Sequence, residues 1–277
     1  MRRSTRDRPP EWARAWRELV ATARRTVTDG LVVGTSGNVS VRVGDTVLVT
    51  PSGVPYDELG PDDLCAVGLD GRQVAGRTVP TSELPMHLAV YRATGAAAIV
   101  HTHAVHATAV STLVDELPAV HYMAAALGGP VRVAPYATYG SEELAAHALA
   151  ALRDRSGCLL RNHGTLVYGG SLGRAYDDTA QLEWMCRVWL AAAAVPGRTP
   201  ALLPSGELDR VAEKLRGYGQ RARAAEATTA EAITETAAET ITETAAEEAA
   251  EDPGVPGPPT RRTRPTGPGG VTPSSWT

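Results

Sequence analysis

Two histidines, His101 and His103, follow the apolar run Ala96–Val100 in the stretch Ile99-Val100-His101-Thr102-His103-Ala104-Val105-His106. A short apolar run of this kind predicts a buried strand, and residues two apart on a strand share a face. The two imidazoles can therefore aim at one point. Neutral imidazole is a good ligand for zinc, and a catalytic zinc takes three protein ligands and keeps one position open. Taken alone, His-x-His reads more readily as a hydrogen-bonded pair closing a strand, and the rest of the chain shifts the balance toward a metal site. A second observation bears on the chemistry. The only lysine is Lys214, near the start of the tail. Schiff-base catalysis needs a lysine in the pocket, so a carbanion formed here calls for a metal.

The elements that must position these histidines follow from pattern. Trp12, Trp16, Leu19, Val20, Ala23 and Val27 recur at helical spacing and predict a helix over 11–29, ended by Asp29-Gly30. A glycine-rich loop, Gly34-Thr35-Ser36-Gly37-Asn38, leads into a half-buried strand carrying Val39, Val41 and Val43. Gly44-Asp45 is a tight hairpin turn, and Val47–Thr50 is the returning strand. Pro51–Pro55 forms a second loop with a hydroxyl and a glycine. Residues 62–69 predict a further strand, closed by Asp70-Gly71. Thr81-Ser82-Glu83 opens a helix, with hydroxyls at the cap and a carboxylate in the first turn. After the histidine strand come a helix near 104–114, strands at 131–134 and 158–160, a helix opening at Ser141, and a long helix over 172–194.

Composition narrows the classes. The chain has 277 residues, a net charge of −4 and a pI near 6.0, without the basic footprint of a nucleic-acid or anionic-membrane binder. No apolar run spans a bilayer, and the basic N-terminus lacks an apolar segment behind it, so a cytoplasmic location is expected. Cys65, Cys158 and Cys186 are isolated and odd in number, as in a reducing compartment. From Pro196 the regular pattern stops. Ile233–Glu239 recurs imperfectly as Ile241–Glu247, and 253–277 is rich in Pro, Gly, Thr and Arg. Such a composition cannot bury a core. The expected division is a folded domain over 8–215 and a low-complexity, disordered tail over 216–277.

Seven stretches, in this order, resemble the class II aldolase/adducin family: Gly34–Arg42, Thr50–Tyr56, Pro80–Glu83, Val100–Ser111, Pro118–Met123, Ala134–Gly140 and Asn162–Gly164. They span about 10–195. His121-Tyr122-Met123 and Pro135–Thr138 are similar to the aldolase branch, those acting on ketose 1-phosphates of the L-fuculose 1-phosphate type. The resemblance implies an α/β fold with three αβα layers around a central, largely antiparallel sheet. It also implies a cyclic homotetramer with the site at a subunit interface.

Carried over by position, the resemblance makes His101, His103 and His163 the ligands of a zinc ion. Glu83 becomes the catalytic carboxylate, and a fourth ligand when substrate is absent. Thr35, Gly37, Asn38, Ser52, Gly53, Thr81 and Ser82 become the phosphate-binding groups, supplying hydroxyls, backbone N–H groups and a helix N-terminus without a lysine. Tyr122 reaches a neighbouring subunit's metal and protonates the aldehyde oxygen. The implied reaction is reversible cleavage to dihydroxyacetone phosphate and an aldehyde such as L-lactaldehyde. Tyr139 stands where a phenylalanine is usual, near the aldehyde end. His87, four after Glu83, is set aside as a ligand. His106 is expected to start the next helix, His121 to pack beside Tyr122, and Glu183 to pair or cap. A pentulose-phosphate 4-epimerase or a methylthioribulose-phosphate dehydratase would use the same three histidines, and an adducin-like scaffold would keep the fold without the metal. Neither nucleic acid nor membrane is an expected partner.

Overall fold

The computed structural model describes residues 9–216. The repeat and the Pro/Gly-rich end of the tail lie outside the described residues. Nine strands form one sheet: β1 (Asn38–Val43), β2 (Thr46–Val49), β3 (Cys65–Gly68), β4 (Gln73–Ala75), β5 (Ala98–Thr102), β6 (Glu116–Leu117), β7 (Val131–Ala134), β8 (Gly157–Leu160) and β9 (Gly164–Gly169). Their order is β4-β3-β2-β1-β5-β9-β8-β7-β6, and every pairing is antiparallel except β7 with β8. The sheet is thus largely antiparallel, as expected.

The strand pleat sorts side chains into two cores. Val39, Leu48, Ala66, Ala98, Val100, Leu159 and Val167 face α1 (Pro10–Thr28), α3 (Val105–Leu113) and α5 (Leu172–Ala193). Their neighbours along the strands, Val49, Val67, Ile99, Cys158, Leu160 and Leu166, face α2 (Leu84–Ala93) and α4 (Glu142–Ala151). Burial alternates because successive side chains point to opposite faces, and the outcome is three layers. The three cysteines are buried and not in disulfides. Among the described residues no helix is long and apolar enough to cross a membrane.

Several expectations shift in detail. The strand expected over 62–69 starts late, because Pro61–Asp63 is a 3-10 turn closed by the Asp63 carboxylate on the Gly60 N–H. On α1, Thr26 takes the buried place expected of Val27, which is 43% exposed. Residues 205–216 are helical, although the regular pattern was expected to stop at Pro196. The strand β9 (Gly164–Gly169) occupies a segment for which the sequence pattern predicted no element. The Gly44-Asp45 turn joins β1 to β2 as expected, with Val43 opposite Thr46 and Gly44 at φ 61°.

Candidate active site

The site sits on the α2/α4 face of the sheet, where β1, β5 and β9 lie side by side. His101 is on β5 and points to the same side as Ile99; His103 follows the strand end with the same parity. His163 reaches them because β8 and β9 form a tight hairpin. Leu160 pairs with Gly164, the loop between them is Arg161-Asn162-His163, and Asn162 takes the left-handed conformation at φ 55°. Thr165 on β9 pairs with Thr102 on β5, which sets the hairpin loop beside the end of β5. Gly164 is required here, since a Cβ would lie 2.0 Å from the Thr102 carbonyl oxygen.

Glu83 arrives from the opposite layer. It is the N-cap residue of α2 and not a first-turn residue, and its side chain makes no capping bond. The Thr81 hydroxyl accepts the Glu83 N–H instead, at 3.3 Å. The carboxylate is thereby free to point at the sheet. Glu83 Oε2 lies 2.9 Å from His101 Nε2 and accepts the Asn38 amide N–H at 2.9 Å. Glu83 Oε1 lies 3.3 Å from His163 Nε2, and His101 Nε2 lies 3.0 Å from His103 Nε2. The donor atoms of Glu83, His101, His103 and His163 all fall within 4.8 Å of one another.

The electrostatics of this cluster follow from burial and from the close approach of its four members. Burial opposes charge on Glu83, yet the His101 imidazole, His163 and the Asn38 N–H hold it well below the usual carboxylate range. Burial opposes charge on His101 too, but contact with Glu83 and the Thr165 carbonyl raises its pKa. His103 and His163 are driven down by burial and by His101, to about 3 and about 4. These directions favour charge on Glu83 and His101 together and disfavour it on His103 and His163, and the ligand atoms of all four converge. Glu83 Oε1 is buried with no hydrogen-bond partner, which is costly unless something positive faces it. His101 Nδ1 donates to the Thr165 carbonyl at 2.7 Å, turning Nε2 inward, the usual arrangement behind a metal-bound histidine. Tetrahedral coordination at zinc distances separates neighbouring donors by about 3.3 Å. The spacings of 2.9, 3.0 and 3.3 Å lie close to it, and all four residues offer ligand atoms within 4.8 Å of one another. The residues fit a divalent metal with a nitrogen-rich donor set.

A cleft of about 350 Å³ opens onto this cluster. Thr35, Gly37, Asn38, Ser52, Gly53, Thr81, Ser82, Glu83, His103 and His163 all line it, so the residues expected to bind phosphate meet the expected metal ligands. No lysine or arginine is among its lining residues. Gly37 has φ 78°, and a Cβ there would lie 2.7 Å from the His101 carbonyl oxygen, so glycine lets the loop close over β5. The Tyr56 hydroxyl anchors the same loop through the Gly37 carbonyl at 2.7 Å. Two of the expected phosphate groups are partly committed. Thr81 holds the Glu83 N–H, and Asn38 gives one of its two amide N–H bonds to Glu83. Tyr136 and Tyr139, 60% and 67% exposed, flank the mouth of the cleft.

Tyr122 is the expected residue that this chain does not bring to its own cluster. It is 49% exposed and lines a separate groove with His121, Met123, Arg174, Leu202 and Lys214. His121 packs against Tyr122 and Trp184, with ring centroids 4.3 and 4.7 Å away. Glu183 is a cap: its carboxylate accepts the His106 N–H at 3.0 Å and the Ala107 N–H at 2.7 Å, at the start of α3. The sequence reading missed the partners of His87. That imidazole is wholly buried and joins Asn38 to Ser40 and Tyr91. The signal was present as Asn38-x-Ser40 on one strand and Glu83, His87 and Tyr91 at intervals of four on one helix.

Known proteins are similar to this chain in sequence and fold. Over 207 residues the chain is 37% identical to a 5-deoxy-D-ribulose 1-phosphate aldolase of Bacillus thuringiensis, covering 74% of this chain and 96% of that one. It is 39% identical to the L-fuculose phosphate aldolase of Escherichia coli K12, covering 74% and 95%. A solved L-fuculose 1-phosphate aldolase superposes with a TM-score of 0.71 at 35% identity, covering 73% and 96%. Residues 17–190 match the family described as Class II Aldolase and Adducin N-terminal domain, and the chain belongs to that family.

Proposed function

We propose that this chain reversibly cleaves a ketose 1-phosphate to dihydroxyacetone phosphate and a short aldehyde, with zinc held by His101, His103 and His163. It is a metal-dependent aldehyde-lyase by family and by the relatives it resembles. One observation carries the reading. Glu83 lines the cleft together with His103 and His163, its carboxylate gathered with all three histidines and buried, with no hydrogen bond to Oε1.

A bound metal would supply Lewis acidity, stabilising the negative charge that develops next to the ketone. The chain's own residues do the rest. The loops at Thr35–Asn38 and Ser52–Gly53 and the turn at Thr81–Ser82 offer N–H groups and hydroxyls to the phosphate. That anchors the carbon chain with its ketone toward the histidines. In the cleavage direction a hydroxyl proton leaves on the aldehyde side, and the electron pair of the broken carbon–carbon bond stays with the ketone fragment. The net change is one proton moved from that hydroxyl to this carbon: Glu83, in its protonated form, delivers the proton in cleavage and is left ionised, and in condensation the ionised carboxylate takes the proton back. The Tyr122 hydroxyl of a neighbouring subunit serves the aldehyde oxygen, which fits its absence from its own chain's cleft and calls for an oligomer with shared sites, the homotetramer that the family resemblance suggests. Tyr136 and Tyr139 at the mouth receive the aldehyde end, L-lactaldehyde or a similar small aldehyde.

The test is a panel of ketose 1-phosphates, including L-fuculose 1-phosphate and 5-deoxyribulose 1-phosphate, with coupled detection of dihydroxyacetone phosphate and metal analysis of the same sample. Release of dihydroxyacetone phosphate by protein carrying about one metal per chain is expected. Metal-loaded protein that epimerises or dehydrates a substrate and releases none would overturn the aldolase reading; protein that binds no metal would point to a scaffold.

A further inference from the structure

Behind Glu83 and out of reach of the cleft lies a continuous row of buried polar side chains. Tyr91 is 1% exposed, and Ser40 and His87 are at 0%. None of the three lines the cleft. The contacts run Tyr91 Oη to Ser40 Oγ at 2.8 Å, Ser40 Oγ to His87 Nδ1 at 2.7 Å, and His87 Nε2 to Asn38 Oδ1 at 2.5 Å. The Asn38 amide N–H then meets Glu83 Oε2 at 2.9 Å.

The direction of this row follows from its last member. An ionised carboxylate only accepts, so Asn38 must turn its NH₂ toward Glu83. Its carbonyl oxygen then faces His87, and because that oxygen only accepts, His87 Nε2 must carry the proton. A neutral imidazole protonated at Nε2 accepts at Nδ1, so the Ser40 hydroxyl donates there. Ser40 Oγ in turn accepts from Tyr91, the remaining donor. Every atom in the chain has one role, and each bond requires the one before it. Reversing the Asn38 amide would set its carbonyl oxygen against the Glu83 carboxylate and leave His87 and Ser40 mismatched in a dry interior, where mismatched polar groups cost most.

We propose that His87, backed by Ser40 and Tyr91, is a positioning residue that locks the Asn38 amide so that Asn38 holds Glu83 Oε2 and leaves Oε1 as the working oxygen. This rests on Glu83 being the proton carrier. Helix α2 and strand β1 form the device together: Glu83, His87 and Tyr91 recur every four residues on one helix face, while Asn38 and Ser40 recur every two on one strand face. Asn38 also pairs with His101 across β1 and β5, so the same strand register that positions the metal ligand positions the lock.

The test compares His87→Leu with His87→Gln in the full chain. Leucine fills space but donates nothing, whereas the glutamine amide can reach Asn38 Oδ1 with an N–H in place of Nε2. The expected result is a fall in kcat of about 10–100-fold for His87→Leu, with little change in KM or metal content, and recovery of most of it in His87→Gln. In a Glu83→Gln background His87→Leu should add no further loss. Equal losses in the two His87 variants, or a full additional loss on top of Glu83→Gln, would overturn the proposal. A second readout needs no turnover. Long-range ¹H–¹⁵N correlation spectra of histidine-labelled wild-type protein should show His87 neutral and protonated at Nε2; protonation at Nδ1 alone would refute the chain even if His87→Leu does not fold. Should that tautomer be found while metal-loaded Glu83→Gln keeps normal proton exchange, the base assignment falls and the hydrogen-bonded lock stands as structure only, which ends its proposed role.

Discussion

Replacing Glu83 by glutamine separates the roles a buried carboxylate can play here. The Asn38 N–H dictates how the new amide sits, because the carbonyl oxygen must take the place of Oε2, 2.9 Å from Asn38. The NH₂ then occupies the place of Oε1, 3.3 Å from His163 Nε2. A proton acceptor has become a donor with nothing to accept. Removing a positioned general base costs about 10²–10⁴ in rate, or about 3–5.5 kcal/mol at 1.36 kcal/mol per decade. A helix-end carboxylate interacting with the dipole alone would contribute about 0.3–1 kcal/mol to stability and little to rate. Since Glu83 makes no side-chain capping bond, the dipole part of the stability cost should sit at the lower end, apart from what the pairing with His101 contributes.

The assay is exchange of the proton on the hydroxyl-bearing carbon of dihydroxyacetone phosphate in heavy water, with metal content measured on the same sample. Wild type should exchange, and Glu83→Gln should exchange slower by the factor above while retaining metal on three histidines. Tyr122→Phe should keep exchange better than overall aldol turnover, because its proton goes to the aldehyde oxygen after the carbanion forms. Normal exchange by metal-loaded Glu83→Gln would refute the reasoning, leaving the reaction without its proton carrier.

His103→Ala removes one of three converging imidazoles and should abolish stoichiometric metal binding, measured by elemental analysis; full occupancy would show that His103 is not a ligand. A chain ended after Arg216 should fold and keep wild-type metal content and kcat, because every cleft residue precedes it; a large loss of kcat would move the proposed boundary of the catalytic domain. In metal-stripped protein the Glu83–His101 pair makes stability depend on pH. The Glu83 contribution is present above its ordinary value of 4.5 and is lost as pH falls through its depressed folded value. The His101 contribution is complete below its ordinary value of 6.5 and is lost as pH rises through its raised folded value. The pair therefore adds most between 4.5 and 6.5, and the Tm–pH curve of stripped Glu83→Gln should lose that maximum; an unchanged curve would mean the pair contributes nothing to folding.

What the sequence made legible was local. His101 and His103 share a face because a strand has period two, and the apolar run before them announced the strand. The hydroxyl- and glycine-rich loops were visible as loops, and the motifs shared with the aldolase branch joined them into one cleft. Strand β9 was not visible: Gly164-Thr-Leu-Val-Tyr-Gly169 is largely buried on both faces, lacks alternation and is bounded by glycines. The helix over 205–216 was masked by the low-complexity composition that follows it.

The wiring of Glu83 was illegible for a different reason. Sequence spacing shows which residues share a face of one element, but not which two faces meet. His87 looked dispensable because, as a ligand to the metal, it is: it points at β1 and not at the other histidines. Only the packing of α2 across β1 sets a period of four against a period of two and turns five separate polar residues into one chain. The same packing explains why Glu83 is an N-cap that caps nothing. Had it turned back to satisfy its own helix, the Asn38 amide would have lost its carboxylate and His101 its counter-charge. Thr81 accepts the Glu83 N–H instead, so the helix start is secured by a neutral hydroxyl and the charge remains for chemistry.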